Sequence, residues 1–273
     1  MDLSGAFALG LDAENYAKVR TAYERAAVTA EEVGDATGLA ANRINAALVD
    51  AMLGDFAGAC RRTQTVLAFG DKLEPYVRAS ALVNLALFLV CAGDAQGGRM
   101  RAFEALTFAR EHNLGTQEAS ALHHLGVAEA ALGDVKAAID HGEQALALIA
   151  ARNTLGPPAP LLADLALWYV RVDDLGSAQE RVARLLEDEA AMDRGLPPRP
   201  AYCWWAAAQV LRACGEREMS GRALARSAEI VTRTADALED VDRRRYLAVP
   251  WHRQMYEAVK RSNWPSLEMR RKS

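Results

Sequence analysis

A turn signal that returns about every forty residues limits what this chain can fold into more than any other feature. Leu53-Gly54-Asp55, Ala92-Gly93-Asp94, Leu132-Gly133-Asp134, Val172-Asp173-Asp174 and Cys214-Gly215-Glu216 each close an apolar run, and their central residues lie 39, 40, 40 and 42 positions apart. Each triplet has the chemistry of a joint between two antiparallel helices. Glycine enters the left-handed conformation that ends one helix, and the acidic residue after it caps the free amides that begin the next. A fixed period of this length marks a repeat array, in which every helix pair buries its apolar face against its neighbours.

The composition agrees with helices throughout. Apolar residues make up 51% of the 273 positions but aromatics only 7%, so the apolar share leans on alanine, the strongest helix former. Runs of Val, Ile and Thr that would write strands are missing. The prolines fall between the proposed pairs, at Pro75, at Pro157, Pro158 and Pro160, and at Pro197, Pro198 and Pro200, where a first helical turn tolerates them. The predicted fold is therefore all-α, a right-handed superhelical solenoid of five antiparallel helix pairs with capping helices. The expected organisation is an N-terminal capping segment over 1–37, the pairs over 38–236, and capping helices with a basic tail over 237–273. Within the array the pairs run 38–72, 75–113, 116–153, 158–194 and 199–236. A short helix near Leu238–Leu247 and a last one over Pro250–Arg261 close the chain.

Repeat three carries a known pattern most plainly: Leu122, Leu125-Gly126, Glu129, Gly133-Asp134, Ala138-Ile139 and Ala145-Leu146. It resembles the tetratricopeptide repeat, echoed by Leu85-Ala86 and Ala105-Leu106 in repeat two and by Leu165-Ala166, Tyr169 and Ala178 in repeat four. Small residues sit where the two helices of a pair cross closely. The period is about 40 rather than the family's 34, which places the extra residues in the second helices or their connectors. Long repeats of this kind, with the ending Tyr246-Leu247-Ala248-Val249-Pro250-Trp251-His252-Arg253, look like the C-terminal arrays of multidomain bacterial transcriptional activators and signalling ATPases of the maltose-activator type. That resemblance implies a regulatory setting, although this chain carries no phosphate loop of the G-x-x-x-x-G-K-[ST] form.

Charge and motifs narrow the functional classes. The formal charge is −4. From Arg243 onward nine Lys or Arg stand against Glu257 and Glu268, a balance of +7 that leaves −11 for residues 1–242. An acidic body argues against direct nucleic-acid binding. The longest apolar stretch, Ala79–Ala92, is too short to span a bilayer, so no membrane association is predicted. The N-terminus lacks a basic signal region and the four cysteines lack metal-ligand spacing, which predicts reduced thiols in a cytoplasmic chain. His123 and His124 are adjacent on a helix and point about 100° apart, unlike an i, i+4 metal pair. Without H-E-x-x-H, G-x-S-x-G or Cys-x-x-Cys, the reading is a non-catalytic protein with no cofactor and no metal.

The inner surface of the array is the candidate binding site. In tetratricopeptide repeats the first helix of each pair lines the concave face through its second, fifth, ninth and twelfth positions. Aligned on the turns, these include Ile44 in repeat one, Val83 and Leu87 in repeat two, His123 and Val127 in repeat three, Leu167 in repeat four, and Tyr202, Trp205, Gln209 and Arg212 in repeat five. Asn45 and Asn84 share one repeat position and could clamp a peptide backbone. Trp205, Tyr202, Arg212 and Arg171 form either an aromatic and cationic end to the groove or a core that seals the last repeat. So apolar a strip exceeds what a monomer leaves bare. A peptide or amphipathic helix of a partner protein, a second copy of the chain in a homodimer, or the chain's own terminal helices is expected to cover it, unless tight winding makes it core. The predicted function is a protein–protein interaction scaffold in bacterial regulation; the alternative is a domain that senses a small effector.

Overall fold

The computed structural model describes residues 16–152, 159–187 and 200–261. The start of the predicted capping segment, residues 153–158 and 188–199, and the tail from residue 262 lie outside them. Among the described residues there are thirteen α-helices and no strand. They are α1 (Tyr16–Glu32), α2 (Ala36–Met52), α3 (Phe56–Leu67), α4 (Pro75–Ala92), α5 (Ala95–Glu111), α6 (Gly115–Leu132), α7 (Val135–Ala151), α8 (Ala159–Arg171), α9 (Leu175–Leu186), α10 (Pro200–Ala213), α11 (Arg217–Ala237), α12 (Asp240–Ala248) and α13 (Pro250–Arg261). The chain divides into two compact units, an N-terminal one over 17–157 and a C-terminal one over 158–273 with residues 1–16.

The joints are built as their chemistry requires. Gly54, Gly93, Gly133 and Gly215 take φ of 84°, 99°, 98° and 85°. Asp55, Asp94, Asp134 and Asp174 each accept a hydrogen bond from the backbone N–H three residues on, at 2.8 to 3.1 Å. Two joints depart from this pattern. Asp173 holds the glycine position at φ 61°, and Glu216 makes no side-chain cap, because its longer side chain overshoots the amides that aspartate reaches. A sixth joint precedes the array. Gly34, at φ 71°, ends α1, and Asp35 caps α2 at 2.8 Å.

The forty-residue period is filled by helix length in both members of a pair, not in the second helix alone. Helices α4 and α6 have 18 residues, and α5 and α7 have 17. By length and composition Pro75–Ala92 could cross a bilayer, four residues more than the apolar stretch read from sequence. It packs instead against α2, α3, α5 and α6.

Each pair closes on small side chains. Ala47, Ala86, Ala166 and Ala208 on the first helices are wholly buried, as are Ala59, Ala138, Ala178 and Ser220 on the second. Gly98 holds the equivalent place in α5, and a Cβ there would stand 2.4 Å from Val90 Cγ2 and 2.8 Å from the Ala86 carbonyl oxygen. Larger residues fill the layers between pairs. In the N-terminal unit Ile44, Val66, Leu73 and Val77 form one cluster, and Cys60, Leu85 and Phe88 form another. The C-terminal unit is sealed by α13, which packs on α11 and α12 and buries Trp251, His252 and Met255.

Candidate functional site

In the C-terminal unit the predicted groove residues belong to the core. Leu167, Tyr202, Trp205 and Gln209 are buried, Trp205 to 1%. The Tyr202 hydroxyl donates to the Asp164 carboxylate. Tyr202 lies 5.7 Å from Trp205, and the Trp251 ring of α13 meets it edge-on at 5.4 Å. Arg171 and Arg212 alone stay exposed, at the ends of α8 and α10. The aromatic and cationic cluster is therefore a cap. Helix α10 has α8, α9 and α11 as neighbours, and α13 supplies the ring that closes the face it would otherwise offer.

The N-terminal unit keeps an accessible face, but its phase differs from expectation by one residue. Ile44, Val83 and His123 are buried. They turn toward adjacent helices because α4 packs on both α2 and α6. The surface stripe consists of Ala41, Asn45 and Leu48 on α2, Ser80, Asn84 and Leu87 on α4, and Ser120, His124 and Val127 on α6. All are half-buried except Asn45, which is 8% exposed. At 100° per residue, positions i, i+4 and i+7 fall within about 60° of one another. Three helices thus present three matched rows: small residues, hydrogen-bonding residues and apolar residues. Of the predicted site residues Asn45, Asn84, Leu87 and Val127 lie on this face. Leu48 and His124 complete it, and the repeat spacing that links Asn45 to Asn84 also reaches His124.

Hydrogen bonding distinguishes the members of the middle row. His124 Nδ1 lies 2.9 Å from the Val83 carbonyl oxygen. A carbonyl can only accept, so Nδ1 carries the proton and the ring is pinned to α4. One row away, Gln117 donates to Ser80 Oγ at 3.5 Å. The side-chain amides of Asn45 and Asn84 make no hydrogen bond among the described residues. Each offers two donors and an acceptor, the complement of a peptide unit, and both amides remain open to an incoming partner.

The remaining polar groups read as structural. Buried Asp50 binds Arg62 at 3.0 Å and Arg20 at 3.6 Å, linking α1, α2 and α3. Burial pushes its carboxyl above the usual range, against the pull of the two guanidinium groups. His141 Nδ1 pairs with Glu129 at 2.8 Å across α6 and α7. Among the described residues no three His, Cys, Asp or Glu side chains are placed to hold a metal ion.

No protein-family model matches the chain, and no curated protein matches it in sequence. Solved structures do match in fold. BtubC (BKLC) from P. vanneervenii is 16% identical at a TM-score of 0.58, over 79% of this chain and 90% of that one. A Rap protein complexed with competence and sporulation factor is 18% identical at 0.61, over 91% and 71%. The Rap conjugation gene regulator of the plasmid pLS20, in complex with the Phr* peptide, is 12% identical at 0.66, over 92% and 72%. At such identities the likeness establishes the fold, an all-α array of tetratricopeptide-like helix pairs.

Proposed function

We propose that this chain is a non-catalytic protein-interaction module that takes an extended peptide along the inner face of α2, α4 and α6. The observation that carries the reading is the pair of amides at Asn45 and Asn84, unpartnered among the described residues and one repeat apart on a partly buried surface. An extended peptide must find partners for its backbone N–H and C=O groups, and a row of side-chain amides supplies them. The row of Leu48, Leu87 and Val127 beside it accepts apolar side chains. Two structures of similar fold were solved in complex with competence and sporulation factor and with the Phr* peptide, which supports peptide recognition as a use of this architecture. The ending at Tyr246–Arg253 that resembles activator arrays supports a role in bacterial regulation.

The test is a selection of random displayed peptides against the full chain, followed by titration of labelled synthetic binders by fluorescence anisotropy. Asn84→Ala should weaken binders at least about five-fold, in line with about 1–3 kcal/mol for an unmet buried hydrogen bond. Asn45→Ala should act in the same direction. Binders indifferent to both substitutions, or no enrichment at all, would overturn the inner-face assignment.

A further inference from the structure

We infer that the opposite side of the N-terminal unit is a second, independent docking groove, shaped for an amphipathic helix of a partner protein that carries acidic residues. Helix α6 has two working faces. Residues 120, 124 and 127 belong to the inner stripe, whereas Leu122, Leu125 and Glu129 lie about 170° around the helix and floor a cleft between α5 and α7. Both α5 and α7 pack on α6, but they do not pack substantially on each other, so the space between them stays open. It measures about 500 Å³. Gln96 to Arg110 on α5 gives it a length of about 21 Å.

The wall on α5 holds two prominent exposed apolar side chains. Met100 is 64% exposed and Phe103 63%, and at spacing i, i+3 they lean over the buried leucines of the floor. Methionine and aromatic residues beside arginine are the composition of an interface core.

Two features fix the occupant. Between its rims the groove is mainly apolar, with Glu129 and His141 bonded to each other, and its walls are helices whose own backbone groups are already paired. An extended peptide would leave its backbone unmet there, whereas a helix arrives with its hydrogen bonds made. Charge sets the second requirement. Glu129 is paired with His141, and Arg110 Nε donates to Glu118 at 2.9 Å. Arg99 has no ion-pair partner among the described residues and stands exposed on the rim. The rim of the groove thus carries an exposed positive charge at Arg99, although the chain as a whole is at −4. A helix with Leu or Phe on one face and Glu or Asp on its flank fits both requirements.

The experiment selects displayed helix-forming peptides of about 15 residues, enough to run the groove, with an apolar i, i+3, i+7 face and randomised flanks, against the full chain. Selected peptides should be enriched in Asp and Glu. Phe103→Glu should cut their binding at least ten-fold, Arg99→Glu about as much, and Asn84→Ala not at all. Because both groove residues are exposed, unchanged circular dichroism and melting confirm that the variants fold. Enrichment of basic or neutral flanks, or binders indifferent to Phe103→Glu, would refute the inference. So would a chain that is dimeric by light scattering and becomes monomeric on Phe103→Glu, since a second copy would then be the occupant. Loss of binding on Asn84→Ala alone would leave the inner face as the site and sink this one.

Discussion

Replacing Gly98 by alanine probes the closest approach of two helices in the N-terminal unit. Gly98 lies inside α5, so the substitution should gain about 1 kcal/mol of helix propensity if the site had room. It has none. The added Cβ would meet Val90 Cγ2 at 2.4 Å, the Ala86 carbonyl oxygen at 2.8 Å and the Val90 backbone nitrogen at 3.3 Å. A rotamer change can move the valine methyl, but the other two atoms are backbone, so α4 and α5 must separate. Overpacking of this kind costs about 1–3 kcal/mol, which exceeds the propensity gain and leaves a net loss of about 1 kcal/mol. Gly221 is the matched control. It lies inside α11, and a Cβ there meets nothing within 4 Å, so Gly221→Ala should stabilise by about 0.5–1 kcal/mol. Urea unfolding can follow both units separately, because all five tryptophans lie in the C-terminal one. Far-ultraviolet circular dichroism reports total helix, and tryptophan fluorescence reports the C-terminal unit. Gly98→Ala should lower the dichroism midpoint, and adding Val90→Ala should recover part of the loss. A Gly98→Ala chain as stable as the parent, or a Gly221→Ala chain equally weakened, would refute the close-packing argument.

Two further outcomes follow from local geometry. Asp173 occupies a left-handed position, φ 61°, that glycine holds at four other joints of the array; Asp173→Gly should therefore raise the fluorescence-detected urea midpoint, by up to about 1 kcal/mol, and a lower midpoint counts against it. Burial, with smaller contributions from Cys91 and Asp94, pushes the Cys60 thiol up to about 11. Cys60 should thus lag the half-buried Cys91 at least ten-fold in labelling by a thiol reagent at about pH 8. A thiol raised in the folded state stabilises it fully below the unfolded value of about 9, and that contribution is lost as pH rises towards about 11. Equal labelling rates would contradict the burial of Cys60.

The joints were legible from sequence because their chemistry is local. A glycine and the aspartate after it specify a left-handed turn and a cap without reference to anything distant, and the recurrence of that pair sets helix number and order. The joint at Gly34 and Asp35 uses the same two residues but stands off the forty-residue period, so a search by period passes over it. The proposed binding face was less legible because which side of a helix meets solvent depends on how its neighbours sit. One residue of phase separates Ile44 from Asn45 and Val83 from Asn84, and only the packing of α4 between α2 and α6 resolves it. The closure of the face at Tyr202 depends on Trp251, contributed by a helix two elements further along the chain than α11. The outer groove was invisible to patterning, since Met100 and Phe103 read as an ordinary apolar stripe until the gap beside them is seen.

The spacing of α5 and α7 is set by the helix wedged between them, which places control of a surface in residues the surface hides. Trimming or enlarging Leu122 or Leu125 would act as a shim, drawing the two walls together or forcing them apart without altering one exposed side chain. Affinity for the proposed helical partner would then drift through buried substitutions while the rim keeps its chemistry. A lineage could retune the calibre of such a slot and still present the same face to everything else it meets.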